Sequence, residues 1–533
     1  MKRVWILHPF LLAVFPVVFT FSMNMRQFPM SEMARPAAVT LGWTLAGWAA
    51  LGLALRNARK AAIIASLFLV LFFSYGHVAS LVPKASFSVG RLTVGTSNLL
   101  LAVLIFAFFT CSYAAVATKS DLAGLTKVLN FAALCLAAIP AAHIAIYETS
   151  PAARLAREER ATQNEGPFTP AEVSASRPHI FYIILDGYAR ADNLKEIYGY
   201  DNSEFIDYLK GKGFYVAQRA RTNYSHTFLS LASSLNMQYL DGLAAAVGQA
   251  YQKSDAAERR IAHSMVRTFL RERGYRFATF ETGWQSSKIA DSDLFLRAVK
   301  ERSEFERGVM GTTPAASDAD KSGDDRRRIL YPLQKMPELA QSKEALFVFA
   351  HIIAPHPPYV FGRDGRPADI SRYYAMASGN HLVQKNGITR AESMRRYVDQ
   401  VIFLNSKMKE TVDRIFANSS VPPIIVIQGD HGPGCFLHHS RLEDSYLQDR
   451  MSILNAYYLP GGADDLYDSV TPVNTFRVIL NRYFGTRYRL LPDRNYYSAI
   501  EAPYKFIDVT DEIGSAADKA RYEMLKGMDY FPG

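Results

Sequence analysis

The chain has 533 residues, more than one ordinary domain needs, and its net charge of +10 is unevenly distributed. Residues 1–150 contain 11 Lys and Arg against 3 Asp and Glu, a balance of +8, which leaves +2 for residues 151–533. The basic excess therefore lies in the amino-terminal part, where anionic lipid head groups explain it. Because no basic excess is concentrated in the rest of the chain, we expect no nucleic-acid partner.

Long apolar runs dominate the first 150 residues, and a membrane-spanning helix needs about 20 apolar residues. The runs predict five spans, at roughly 5–22, 38–55, 61–82, 96–118 and 126–146. The positive charges between the spans favour an inner amino terminus. An odd number of spans then places the carboxyl-terminal domain outside. We expect a multi-pass protein of the bacterial inner membrane with a periplasmic or extracytoplasmic domain, although one miscounted span would reverse this orientation.

The pattern divides the chain into four segments. Residues 1–147 form the membrane domain, 148–177 a juxtamembrane helix and linker, 178–510 the main globular domain and 511–533 a tail. Apolar strands alternate with helical patterns from residue 178 on, which predicts an α/β domain with a mostly parallel central sheet. The polar, charge-rich residues 301–328 predict an exposed, mobile insertion in this domain.

Two predicted strands of this domain end in an acidic residue. The strand at 179–185 runs into Asp186, and the strand at 423–428 runs into Asp430-His431, which two glycines flank. Ligands of α/β sheets bind at the carboxyl ends of the strands. Carboxylate and imidazole are suitable ligands for zinc or manganese, with magnesium as the alternative. The competing interpretation is that both acids cap helices, as Asp commonly does.

A hydroxyl-rich turn lies between the two strands and leads into an apolar helix. Ser225, Thr227 and Ser230 all sit near the predicted helix start, where hydroxyls often serve as caps. A helix amino terminus also stabilises anions, so an alkoxide formed there on a metal ion would be a usable nucleophile. Together with the two acids, this turn predicts metal-assisted phosphate-ester chemistry.

Further residues are candidates for contacts with a substrate. His356 lies between prolines just after a strand, where it could hold a phosphate oxygen or protonate a leaving group. Trp284 also follows a strand and could stack on a head group, although a core or interface Trp is an equal alternative. His439 follows the Asp430-His431 turn, and Asn223 opens the hydroxyl-rich turn. His351, by contrast, reads as a packed strand-end residue.

In their order along the chain, Asp186, Thr227 and Asp430-His431 resemble the alkaline-phosphatase/sulfatase superfamily. The five spans and the exported domain are similar to its membrane-anchored branch, which includes lipoteichoic acid synthases and phosphoethanolamine or phosphoglycerol transferases. This resemblance implies an alkaline-phosphatase-like fold and one divalent ion held by Asp186, Thr227, Asp430 and His431. It also implies that Thr227 is the nucleophile and that His356 contacts the transferred group.

The sequence also departs from each subgroup. No Cys/Ser-x-Pro-x-Arg motif follows Thr227, unlike in type I sulfatases. Cys435 is the single cysteine of residues 151–533, so the disulfides of phosphoethanolamine transferases have no counterpart. Lipoteichoic acid synthases place a Glu where Asp186 stands. The transferred group therefore stays open between phosphoglycerol and phosphoethanolamine types.

The resemblance implies transfer of a phospho-head group from a membrane phospholipid to an envelope glycan or lipid through a phospho-threonine intermediate. A membrane-bound phosphodiesterase or phosphatase, with water as the acceptor, is the alternative. A catalytically silent exported scaffold or sensor is a third interpretation, but a scaffold has no need of this set of ligands.

Overall fold

The computed structural model describes residues 4–23, 25, 30–82, 86–89, 92–149, 177–298, 304–314, 318–369, 378–386 and 388–529. The chain forms two compact units. The first contains residues 1–168 and 300–317, and the second contains residues 169–299 and 318–533. The predicted juxtamembrane helix and linker fall mainly on residues 150–176, which lie outside the described part.

The first unit is mainly helical. Its helices before residue 150 are α1 (His8–Met23), α2 (Ala34–Leu55), α3 (Ala58–Leu81), α4 (Thr96–Ala117) and α5 (Ala123–Glu148), and a short antiparallel hairpin, β1 (Ser86–Val89) and β2 (Leu92–Gly95), precedes α4. Four of the described helices, α2 to α5, are long and apolar enough to cross a membrane. Helix α1 is apolar but has only 16 residues, so the predicted fifth span stays a prediction.

Helices α1, α3 and α5 run in the same direction. Near the start of α1, the ring of His8 lies 2.5 Å from the Ser66 hydroxyl of α3, and the His8 backbone N–H donates to Asn130 of α5. Near the end of α1, Phe21 packs in one cluster with Ile144 of α5. Phe73 of α3 packs against the same cluster. From the start to the end of α1, the contacts therefore run from Ser66 to Phe73 in α3 and from Asn130 to Ile144 in α5, so the three helices are parallel.

The second unit alternates helices and strands, as predicted. The remaining helices of the described chain are α6 (Ala191–Glu196), α7 (Ser203–Gly211), α8 (Thr227–Asn236), α9 (Asp241–Val247), α10 (Asp255–Ala262), α11 (Met265–Arg271), α12 (Glu304–Gly311), α13 (Asp318–Leu339), α14 (Gly379–Asn386), α15 (Arg390–Asn418), α16 (Leu447–Met451), α17 (Pro472–Phe484) and α18 (Ala516–Leu525). The strands are β3 (Ile180–Leu185), β4 (Tyr215–Val216), β5 (Arg276–Phe280), β6 (Leu294–Leu296), β7 (Leu346–Ile352), β8 (Ile424–Gln428), β9 (Asn455–Tyr458), β10 (Tyr496–Tyr497) and β11 (Ile507–Asp508).

The seven-stranded central sheet has the order β4-β9-β8-β3-β7-β5-β6. Strands β8, β3, β7, β5 and β6 are parallel and β9 is antiparallel to β8, so the predicted mostly parallel sheet is confirmed. Alternate residues of β3 enter different cores: Tyr182 belongs to one hydrophobic cluster and Phe181 to another. Both faces are therefore covered, which explains why β3 is apolar throughout.

The prediction that residues 301–328 form an exposed insertion in the α/β domain is wrong for part of the described residues. They form α12 and the beginning of α13, and α12 belongs to the first unit. Phe305 and Val309 of α12 are buried in the cluster that contains Phe21. The polar composition did not indicate this packing. Two apolar residues four positions apart, Phe305 and Val309, lie on one face of α12 and are enough to pack this short helix against its neighbours.

The turn after β8 leaves no room for a side chain at Gly432. A Cβ built there would lie 2.0 Å from the backbone oxygen of Asp449. We expect Gly432→Ala to destabilise the second unit by about 1–3 kcal/mol, because backbone must move to make room. Thermal unfolding of the purified full chain in detergent measures the change.

Gly211→Ala at the end of α7 is the matched control, because no atom lies within 4 Å of its built Cβ. This substitution should leave the unfolding temperature unchanged or raise it slightly. Equal unfolding temperatures for the wild type and Gly432→Ala would contradict the close packing of the turn.

Candidate active site

Neighbouring strands bring the two predicted acids together. Asp186 follows β3 and Asp430 follows β8, and these strands are adjacent in the sheet. The backbone N–H of Gly187 donates to Oδ1 of Asp430 over 3.0 Å, which ties one turn to the other. Both carboxylates are buried. The strand-end pattern in the sequence thus becomes a pair of buried carboxylates in adjoining turns.

His431 joins the acids to the predicted nucleophile. Its Nδ1 lies 2.9 Å from the Gly432 carbonyl oxygen, so Nδ1–H donates there and Nε2 keeps its lone pair. Nε2 lies 2.9 Å from Oγ1 of Thr227, 3.2 Å from Oδ2 of Asp430 and 3.6 Å from Oδ1 of Asp186. Thr227 is the first residue of α8, where the helix dipole favours negative charge. All four predicted metal ligands therefore lie around one point.

His351 is a fifth member that the sequence did not reveal. It is buried at the end of β7, as expected, but its Nε2 also lies 3.3 Å from Oδ2 of Asp186. Potential ligand atoms of Asp186, His351 and Asp430 all lie within 4.8 Å of one another. The pairing of Ile184 with His351 brings this side chain to the same sheet edge, and register of that kind is invisible before the strand order is known.

The donor set fits a divalent cation. Oδ1 of Asp186, Oδ2 of Asp430 and Nε2 of His351 are buried and have no hydrogen-bond partner among the described residues. Buried polar atoms normally have partners, and buried carboxylates need a compensating charge. Two carboxylates, imidazole nitrogens and a hydroxyl are the ligand types that zinc and manganese accept.

The electrostatics agree with a site built for a positive charge. Burial, together with the charge of Asp186, raises the pKa of Asp430 to about 7. Burial alone would also raise the pKa of Asp186, but the nearby His356, His351 and His431 hold it below its ordinary value. Burial and then Arg450 keep the pKa of His431 far below the usual value, so its ring is a neutral ligand at neutral pH. A cation between the acids would remove their mutual repulsion.

Arg450 fixes the two turns relative to each other, and no sequence pattern pointed to it. Its Nε donates to the Ser225 carbonyl oxygen over 2.8 Å, and its Nη1 donates to the Gly432 carbonyl oxygen over 3.1 Å. One buried guanidinium thus binds the backbone beside the Thr227 turn and the backbone beside His431. Burial lowers the pKa of Arg450 to about 10, so it stays charged at neutral pH.

The neighbouring hydroxyls have other partners. Ser230 donates through Oγ to the Asp430 backbone oxygen over 2.8 Å, and Thr222 donates to the same oxygen over 2.5 Å. The Ser225 hydroxyl accepts from the Ser498 N–H over 3.4 Å. Among these hydroxyls, Thr227 is the one whose oxygen faces the imidazole of His431.

His356 and Trp284 border one side of the cluster. The ring centroids of His356 and His431 are 6.2 Å apart, and those of His356 and Trp284 are 6.4 Å apart. The Nε1 atom of Trp284 is buried without a hydrogen-bond partner in the described chain. An indole N–H of this kind is available to a ligand oxygen, and the substrate contacts predicted for both residues stay predictions.

The other two residues predicted to contact substrate are His439 and Asn223, and only His439 lies beside the Thr227 turn. The ring of His439 lies 6.2 Å from that of His226, the residue before Thr227, and its Nδ1 is buried without a partner among the described residues. Asn223 is not brought to the cluster. Its side chain accepts from the Val473 N–H over 2.8 Å and donates to the Arg494 carbonyl oxygen over 2.9 Å, which anchors α17.

Comparison with known proteins returned matches among solved structures. No protein-family model matches the chain, and no curated protein matches it. The C-terminal periplasmic domain of EcEptC from Escherichia coli, in complex with Zn, is 12% identical with a TM-score of 0.43, covering 64% of this chain and 95% of its own. The integral membrane lipooligosaccharide phosphoethanolamine transferase A from Neisseria meningitidis is 12% identical with a TM-score of 0.37, covering 89% and 94%.

A putative sulfatase from Bacteroides thetaiotaomicron is 13% identical with a TM-score of 0.37, covering 61% of this chain and 74% of its own. The matching structures thus include phosphoethanolamine transferases and sulfatases.

Asp430→Ala should remove a bound metal ion from the protein. The substitution deletes one of two carboxylates that would hold it and leaves Asp186 without its counterpart. We expect the wild type to contain about one zinc or manganese per chain and Asp430→Ala to contain less than a tenth of that. Elemental mass spectrometry of the dialysed proteins measures it.

Asp464→Ala is the control, because Asp464 is an exposed carboxylate in the same unit. Its metal content should equal that of the wild type. Normal metal content in folded Asp430→Ala protein would show that the cluster is not the metal site.

Proposed function

We propose that the protein is a metal-dependent phosphotransferase of the alkaline-phosphatase/sulfatase superfamily, with Thr227 as its nucleophile. The observation that carries this proposal is the position of the Thr227 hydroxyl. It stands at a helix amino terminus, 2.9 Å from a neutral imidazole and beside two buried carboxylates. Asp186, Asp430, His431 and Thr227 would hold the ion. When bound, the ion supplies Lewis-acid stabilisation of the charge on the phosphate oxygens.

The reaction proceeds in two displacements on phosphorus. Thr227 Oγ attacks the phosphodiester of a phospholipid, and the Oγ–P bond forms as the bond from phosphorus to the glycerol oxygen breaks. The proton lost by Thr227 is balanced by the proton that the glycerol oxygen takes up, and diacylglycerol leaves. A hydroxyl oxygen of an envelope glycan or lipid then attacks the phosphorus of phospho-Thr227, and the new O–P bond forms as the P–Oγ1 bond breaks. The proton that the acceptor hydroxyl loses is balanced by the proton that Thr227 Oγ1 regains. His356 and Trp284 hold the transferred group, and His439 joins them at the His226 side.

The membrane unit favours a lipid donor. The described surfaces of α2, α4 and α5 expose large apolar residues such as Trp43, Phe106 and Phe131, as lipid-facing helices do. An enzyme held in the membrane meets a lipid donor at high effective concentration. The same phospho-threonine could also be hydrolysed by water, which is the alternative function, a membrane-bound phosphodiesterase or phosphatase.

Thr227→Ala should abolish diacylglycerol release while leaving the protein folded. The loss of one hydroxyl at a helix start costs only about 0.5–2 kcal/mol of stability. The purified full chain is incubated with phospholipid labelled in the head group. We expect the wild type to release diacylglycerol and, without acceptor, to show a mass shift on the peptide that contains Thr227.

Ser225→Ala and Ser230→Ala are the matched controls. They remove hydroxyls on the same turn and should weaken turnover without eliminating it. Label on Ser225 or Ser230, or substantial turnover in Thr227→Ala, would overturn the assignment of the nucleophile. Mass spectrometry of envelope lipids and glycans, with and without the protein, then identifies the acceptor.

We also propose that the second unit lies outside the inner membrane. The parallel course of α1, α3 and α5 is the course that first, third and fifth spans would have, which supports α1 as a span. Arg59 and Lys60 of α3 lie at the end of the bundle where His8 begins α1, in accord with a positive inner side.

A reporter enzyme active only after export should be active when fused after residue 533. The same reporter fused after Lys119, between α4 and α5, should be inactive, because that loop would lie inside. A cytoplasmic reporter supplies the reciprocal measurement at both positions. Activity of the cytoplasmic reporter after residue 533 would contradict the proposed orientation.

A further inference from the structure

The membrane unit contains a cavity of about 430 Å³ between its parallel helices. This volume falls within the range of sites for small molecules, and it is too small for another helix. Side chains of α1, α3 and α5 line it together with Thr312, which follows α12. All of these residues belong to the first unit, so the cavity is a property of that unit alone.

The lining is mainly apolar, and polar side chains join it towards one end of the bundle. At the level of Leu12 on α1, the cavity wall also contains Leu69 of α3, and the two leucines belong to one cluster. About two turns further towards the ends of α1 and α3, the wall contains Thr20, Ser74 and His77. Since α1 and α3 are parallel, the polar residues share one end. By the proposed topology, this is the outer end.

The polar end is completed by Thr312 and the preceding helix α12, which lie in the second half of the sequence but pack in the first unit. The Gly76 N–H of α3 donates to the Thr312 carbonyl oxygen over 2.9 Å. A Cβ built at Gly76 would lie 2.2 Å from the Gly311 oxygen, so only glycine permits this approach. Phe305 packs on Phe21 with ring centroids 6.1 Å apart, which seats α12 beside the end of α1.

We infer that this cavity binds one acyl chain of a diacyl phospholipid, with the ester and phosphate end of the lipid at Ser74, His77 and Thr312. The apolar depth matches a hydrocarbon chain, and at the outer end the His77 imidazole can donate to ester and phosphate oxygens. The Ser74 and Thr312 hydroxyls, which donate to the Val70 and Val309 carbonyl oxygens, can do so after turning towards the lipid. Resting on the proposed function, the inference names the lipid as the donor whose head group is transferred, drawn from the outer leaflet. The cavity would hold the lipid by one chain while the phosphate end remains accessible.

Val70→Trp tests the occupant directly, because Val70 lines the cavity and is 47% exposed, so the larger side chain can enter the open space. Val103→Trp on α4 is the matched control. Val103 is 54% exposed on a span and is not among the residues that line the cavity. The full-length proteins are purified in detergent with a limiting amount of dioleoyl phospholipid, and native mass spectrometry counts the lipids that remain bound.

We expect the wild type and Val103→Trp to retain one phospholipid per chain, and Val70→Trp to retain at least tenfold less. A phospholipid with a photoreactive acyl chain should cross-link to residues 12–20 or 69–78 in the wild type and in Val103→Trp. Retention of the lipid by folded Val70→Trp at the wild-type level would overturn the inference. Labelling spread evenly over all helices would also overturn it.

Turnover separates the donor from an unreactive bound lipid. The ratio of diacylglycerol release from dioleoyl to dihexanoyl phospholipid should fall at least tenfold in Val70→Trp and stay at the wild-type value in Val103→Trp. Loss of the bound lipid with an unchanged ratio would overturn the donor assignment. If the wild type cleaves neither lipid, the proposed function fails, while lipid retention in Thr227→Ala protein still decides whether the cavity binds a chain.

Discussion

The site depends on two buried carboxylates held close together at the ends of adjacent strands. Asp186 and Asp430 repel each other, and burial makes this repulsion costly. The protein keeps them in place with backbone groups: the Gly187 N–H binds Asp430, and the Asp186 N–H donates to the Ile352 oxygen of β7 over 3.0 Å. A pair of acids fixed in this way binds either a shared proton or a cation. The raised pKa of Asp430 corresponds to the shared proton. The carboxylate oxygens without a hydrogen-bond partner, Oδ1 of Asp186 and Oδ2 of Asp430, fit a cation.

Thr227, the proposed nucleophile, is positioned by the same backbone arrangement. Ser230, one turn into α8, donates to the Asp430 backbone oxygen, so the helix that begins with Thr227 is tied to the acid. Arg450 binds the backbone on both sides of this junction through Ser225 and Gly432. Removing it would leave the buried Ser225 carbonyl oxygen without this donor, at a cost of about 1–3 kcal/mol, and the Gly432 oxygen with the His431 Nδ1–H as its donor. Arg450 is a positioning residue, since none of its hydrogen bonds described above reaches the imidazole or the carboxylates.

The sequence predicted the parts of this arrangement that follow from strand ends. Apolar runs that terminate in Asp186 and Asp430 gave the sheet and its acids, because parallel strands place their carboxyl ends at one edge. His351 and Arg450 could not be predicted in the same way. His351 reaches the site through the register of β7 on β3, and Arg450 through a helix that follows β8 by about 20 residues. Asn223 is near Thr227 in sequence, but its side chain accepts a hydrogen bond from the Val473 N–H of α17.

The misread polar segment illustrates why composition fails where one close contact decides the structure. Residues 304–314 are polar on average, yet Phe305 and Val309 bury themselves against α1, and a single glycine in α3 admits the backbone that follows. The contact forms because Gly76 has no side chain, and Gly76 is more than 200 residues from Gly311 and Thr312 in the sequence. A local sequence pattern does not show such a contact. The consequence is that a segment flanked on both sides by the sequence of the second unit supplies part of the wall of a cavity in the first unit. Binding of a lipid in that cavity would therefore contact residues from both halves of the chain, although all of them belong to the membrane unit.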